Sequence, residues 1–108
     1  MASERRFVDY VCDQIGAGSR VSARRMFGEY AIYLDGKVVA LVCDNQFFVK
    51  PTDAGRALLG RVDEGQPYPR ARPHFLIAEQ LEDRALVSRL IEVTAAALPA
   101  PKPKSRKK

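Results

Sequence analysis

Arg24, Arg25, Arg70, Arg72 and His74, with Cys12 and Cys43, are the residues of this 108-residue chain whose chemistry could build a site. His74 is the single histidine, so any imidazole acid or base must be this one. It follows Pro73, with Arg70 and Arg72 just upstream, and the three side chains could hold an anion. Sequence identifies no carboxylate to orient the ring, and a packing or surface histidine is the simpler reading. Cys12 falls in an apolar helical stripe and Cys43 in an apolar strand, where a thiol behaves as a small hydrophobe with a raised pKa. Arg24 and Arg25 stand beside Phe27, a pairing of guanidinium and aromatic ring that can hold phosphates or bases. The competing account places Met26 and Phe27 in the core, uses Gly28 for a turn and leaves both arginines as solvated edge charges.

Other chemistries lack their residues. Two isolated cysteines and one histidine cannot furnish the four closely spaced ligands of a structural zinc, so no metal is expected. Neither phosphate-cradling glycine motif occurs, so no nucleotide cofactor is expected. Asp63-Glu64 and Glu82-Asp83 read as loop acids and helix N-terminal acids, not as a positioned catalytic pair. The expectation is a protein without enzymatic activity.

The formal charge of +5 and the pI near 9.5 invite a nucleic-acid reading. Lys102, Lys104, Arg106, Lys107 and Lys108, however, supply five positive charges, the whole of that excess. They belong to a Pro-Lys tail, residues 100–108, that has too little apolar content to order itself. Charge without stacking or base-reading groups supports at most salt-sensitive attachment to nucleic acid. The start of the chain has no apolar stretch of the kind an export signal needs, so a reducing cytoplasm and free thiols are expected. No apolar run approaches the ~20 residues of a membrane span.

The elements that must position these residues follow from periodicity. Phe7, Val8, Val11, Cys12 and Ile15 share one helical arc, with Ser3 as candidate N-cap and Gly16 and Gly18 at the end. Four strands are expected from Val21 to Phe27, Tyr30 to Leu34, Val38 to Cys43 and Phe47 to Lys50. Asp35-Gly36 is a strong type I′ turn signal, while Gly28-Glu29 and Asp44-Asn45 are looser turn candidates. Both alternating sets of the strand from Val38 to Cys43 are apolar, which argues for burial on both faces. Helices cover one face; the other needs more chain or a partner subunit, and a homodimer is expected. Thr52 should cap a short helix to Gly60 that Gly55 weakens. Residues 61–73, rich in proline, should be irregular, and Phe75 to Ile77 should rejoin the sheet. A final helix presents Leu86, Val87, Leu90, Ile91, Val93, Thr94, Ala97 and Leu98 on one arc and stops at Pro99. One domain, 1–99, is expected.

The run Arg24-Arg25-Met26-Phe27-Gly28-Glu29-Tyr30-Ala31-Ile32-Tyr33-Leu34-Asp35-Gly36 resembles the opening signature of the TfoX/Sxy N-terminal domain family. Pro67-Tyr68-Pro69, Pro73-His74-Phe75 and the helix from Leu81 are similar to that family's later segments. Glu29 departs from the pattern, where the family often has a second glycine. The resemblance implies a stand-alone α+β domain of order close to α-β-β-β-α-β-β-α, similar to secretion-chaperone-like folds that often dimerise. It also implies kinship with regulators of natural competence for DNA uptake, and it brings no catalytic residues. The expectation is therefore a cytoplasmic regulatory or protein-interaction module. A nucleic-acid-binding protein using the tail and surface arginines is the alternative.

Overall fold

A computed structural model describes residues 4–26 and 29–99. Its order is α1 (Arg5–Ile15), β1 (Val21–Met26), β2 (Glu29–Leu34), β3 (Lys37–Cys43), β4 (Gln46–Val49), α2 (Asp53–Leu59), β5 (Glu64–Gly65), β6 (His74–Ile77) and α3 (Arg84–Ala97). The six strands form one antiparallel sheet in the order β1-β2-β3-β4-β6-β5. This is the expected α+β domain. The expectations for Ser3, Phe27, Gly28 and the tail concern residues outside the described ones.

Local chemistry explains the meander. Asp35 and Gly36 both take positive φ, as do Asp44 and Asn45, the signature of two-residue type I′ hairpins whose twist matches the strands they join. The second turn also ties down the first helix, because Asn45 Oδ1 accepts from the Glu4 amide at 2.8 Å. Glu4, the residue at the N-cap of α1, makes no side-chain cap of its own. At the far end Gly16 adopts the left-handed conformation (φ 70°) that closes the helix.

Register divides the sheet into two faces. Tyr30, Val42, Phe47 and Ile77 align across four strands, and Ile32, Ala40, Val49 and Phe75 form the next row. These side chains meet Val8, Val11 and Ile15 of α1 and Val87, Leu90 and Ile91 of α3 in one buried core. Each large aliphatic or aromatic side chain removed from water there contributes about 1.5–3 kcal/mol. A bulge in β3 opposite Ile32/Tyr33 accounts for the adjacent burial of Val39 and Ala40.

Three polar devices fasten the helices. Asp83 Oδ1 accepts from the Leu86 amide and caps α3. Lys37 Nζ donates to the carbonyls of Ala95 (2.8 Å) and Leu98 (3.1 Å), capping the same helix at its negative end. Arg20 bridges Asp35 in the β2–β3 turn and Glu92 on α3, at 2.7 Å to each.

Helix α2 follows its sequence signals, with Thr52 Oγ1 accepting from the Gly55 amide at 2.9 Å. Gly55 has a further role: a Cβ there would lie 3.1 Å from Phe75 and 3.3 Å from Leu90. Glycine is the condition for α2 to sit against the sheet and α3.

Candidate functional site

The opposite face is only partly covered. Arg24, Ala31, Leu41, Phe48 and Leu76 align along it, one from each of β1, β2, β3, β4 and β6. Residues 66–73 leave β5 and fold back over its β4–β6 side. Gln66 Nε2 holds the Ala71 carbonyl at 2.7 Å, and Pro67 and Ala71 are buried. Phe48 is buried beneath this cover, with Gly65 so near that a Cβ would stand 3.3 Å from its ring. The chain thus supplies part of the second layer that the two-sided apolar strand requires.

What is left is a groove of about 1070 Å³. Val38, Leu41 and Cys43 line it from β3, Met26 and Glu29 from β1 and β2, and Tyr68, Arg70 and Arg72 from the covering loop. Val38 and Leu41 are only half-buried, unlike their helix-facing neighbours. Met26, placed in the core by sequence reasoning, is 41% exposed. Its pairing with Glu29 on the edge strand turns it to the open face, away from the helices.

The groove is polarised along the strands. Asp44 lies in the β3–β4 turn, and its amide donates to Glu29 Oε2 at 3.1 Å, so both acids mark one end. Lys50 follows Val49 at the other end, its amide donating to the Val39 carbonyl. The β4–β6 register sets His74 beside Lys50, and Arg72 precedes it. His74 is buried, with Nδ1 2.7 Å from the Arg72 carbonyl. A carbonyl only accepts, so Nδ1 bears a proton and donates it to this contact. Arg70 holds a positive φ of 72°, uncommon for a residue with a side chain.

Of the residues singled out in the sequence, Cys43, Arg70, Arg72 and His74 share this groove. Arg24 is on the same face but on edge strand β1, outside the lining. Arg25 points the other way, its guanidinium 6.0 Å from the Tyr30 ring, which Arg5 approaches at 5.8 Å. Successive strand residues face opposite sides, so these two arginines cannot grip one ligand together. Lys102, Lys104, Arg106, Lys107 and Lys108 lie outside the described residues.

Neither thiol is set up as a nucleophile. Burial, reinforced by the nearby Glu29 charge, pushes the Cys43 thiol up to about 11. Burial and then Asp9 raise that of Cys12. Among the described residues no group of three or more His, Cys, Asp or Glu side chains could hold a metal ion. No described helix is long and apolar enough to cross a membrane.

Sequence reasoning missed Lys50, Glu29 and Asp44 as groove residues. Strand alternation from the buried Val49 would have turned Lys50 outward, but the two acids become neighbours only through the β2–β3 register.

The fold and this groove define a small α+β domain with helices on one sheet face and a partly open second face. The chain belongs to the TfoX N-terminal domain family, whose model matches residues 13–98. It is similar to the uncharacterized 12.7 kDa protein in the trpE 5′ region of Spirochaeta aurantia. The two are 46% identical over 107 residues, covering 99% of this chain and 93% of that one.

Proposed function

We propose that this domain is a non-catalytic, cytoplasmic protein-interaction module with a regulatory role akin to that of competence regulators, and that the open sheet face is its working surface. The observation that carries the reading is the groove, whose floor leaves Val38 and Leu41 half-buried between the exposed side chains of Met26 and Tyr68. Exposed apolar side chains gathered in one place and rimmed by charge are the usual mark of a protein contact surface. The chemistry of the groove supports a binding role over a catalytic one. The Cys43 thiol is held protonated, and the Nδ1 partner of His74 is a backbone carbonyl, not a carboxylate. The division of Arg24 and Arg25 between two faces favours this reading over a phosphate-tracking stripe.

Capture from cell extract tests it, with the intact chain and its Leu41→Glu variant as parallel baits. Leu41 is half-buried on the open face, so the variant should keep its circular dichroism spectrum and its unfolding midpoint within a few degrees. Polypeptides retained by the wild type and lost by the variant are the expected result. Identical captured sets from two folded baits would refute the assignment of this face.

A further inference from the structure

We infer that the groove takes the C-terminal segment of a partner polypeptide, an extended stretch of about five residues. Its terminal carboxylate lies at the basic end of the groove, and a basic side chain at the start of the stretch lies at the acidic end. This rests on the reading that the open face is the interaction surface, and it states the chemistry of the partner.

Charge carries the inference first. Lys50 and Arg72 line one end of the groove and form no ion pair among the described residues, whereas Arg5, Arg20, Arg56 and Arg84 elsewhere each do. His74 joins them from its buried position in β6. Cations gathered without a counter-anion suit a carboxylate, which a guanidinium meets with two parallel N–H···O bonds. Glu29 and Asp44 stand at the opposite end. A phosphate chain laid along the groove would run into those acids, so the arrangement asks for one negative charge at one end and a positive one at the other.

Shape carries it second. The two ends are separated by the length of β4 and its flanking residues, ~15 Å, which an extended chain covers in about five residues at 3.3 Å each. Between them the floor is apolar, with Val38 and Leu41 half-buried, and the exposed side chains of Met26 (41%) and Tyr68 (55%) stand at its margins. Alternate side chains of an extended segment would rest on that floor. The volume of about 1070 Å³ is at the top of the ~300–1000 Å³ range of small-molecule sites, room for a short segment more than for a metabolite. The position of the cations selects a chain end. They sit in line with the strands, at the end of the floor. Side chains of an extended segment stand perpendicular to its run, whereas a terminal main-chain carboxylate continues along it.

Affinity selection on the immobilised full chain tests this. The probe is an equimolar mixture of two isotope-coded pentapeptide pools that open with lysine and draw the other positions from leucine, valine, phenylalanine, threonine and serine. One pool ends in a free carboxylate and the other in an amide, and mass spectrometry counts the retained peptides. The wild type should favour the free carboxylate by about tenfold or more. The double variant Lys50→Gln, Arg72→Gln should lose that preference while keeping its circular dichroism spectrum. Asp44→Asn, which the left-handed backbone there (φ 54°) accommodates, should reduce the advantage of lysine-first over alanine-first peptides. Several results would overturn the inference: equal retention of the two pools, a carboxylate preference that survives in the folded double variant, or a lysine preference untouched by Asp44→Asn. Amidated peptides ending in glutamate and retained as well as the free-carboxylate pool would overturn the assignment to a chain end. No retention by a wild type whose extract partners are still lost on Leu41→Glu would remove this occupant and leave the interaction reading in place. Identical capture from extract by both baits removes the reading itself.

Discussion

Gly55→Ala should destabilise the domain, although it replaces a poor helix former with the best one. The substitution removes about 1 kcal/mol of intrinsic helix penalty in α2. Against that gain, the new Cβ would lie 3.0 Å from Thr52 Oγ1, 3.1 Å from Phe75 Cε2 and 3.3 Å from Leu90 Cδ1. Phe75 is fully buried and Leu90 almost so, so neither can yield without disturbing the core. Overpacking of this kind costs about 1–3 kcal/mol. Moving the Thr52 hydroxyl also endangers the 2.9 Å bond that caps α2, a device worth ~1 kcal/mol. The net expectation is a loss of about 1–3 kcal/mol, or ~5–15 °C in Tm for a domain of this size. Urea and thermal unfolding followed by circular dichroism measure it. Repeating the substitution in a Thr52→Ala background should recover about 0.5–1 kcal/mol, because one of the three contacts has gone. A Gly55→Ala protein as stable as the wild type, with an unchanged urea slope, would show that α2 does not depend on glycine for its approach.

Thr94 Oγ1 is buried with no hydrogen-bond partner among the described residues, so Thr94→Val should raise stability by ~1 kcal/mol in the same unfolding assay. Lys37→Met keeps much of the apolar stem but abandons the Ala95 and Leu98 carbonyls, and should cost ~1–2 kcal/mol while increasing amide exchange in the last turn of α3. Cys43, with its thiol near 11, should react with iodoacetamide at about pH 8 roughly a hundredfold more slowly than a free cysteine of pKa ~8.5. Because burial favours the protonated thiol in the folded state, its contribution to stability is intact below the unfolded pKa. It is lost as pH climbs toward 11, so alkaline unfolding should be less steep in Cys43→Ala.

Much of the scaffold was legible because it rests on short-range chemistry. The stripe of Val8, Val11 and Ile15, the Asp35-Gly36 turn, the Thr52 cap and the arc of Val87, Leu90 and Ile91 each express their local sequence, and all recur in the structure. Gly55 was legible as a weak helix residue and illegible as a packing contact, since Phe75 and Leu90 reach it only in three dimensions. The same holds for Lys37, whose acceptors lie on α3. The candidate site was half readable. Arg70, Arg72 and His74 are close in sequence and share the groove, but its acidic end depends on register, and its cover depends on a proline-rich loop with no periodicity to betray where it folds. Arg24 and Arg25 carry the reverse lesson: neighbours in a strand are separated by the sheet.

A photocrosslinking residue placed on the open sheet face reads that surface directly. Benzoylphenylalanine at position 41, on the groove floor, and separately at position 89, on the exposed side of α3, would be irradiated in cells expressing the intact chain. If the open face is the interaction surface, position 41 yields a discrete adduct with a polypeptide, this chain or another, and position 89 none of comparable yield. Adducts confined to position 89, or none from position 41 in a folded variant, would contradict it.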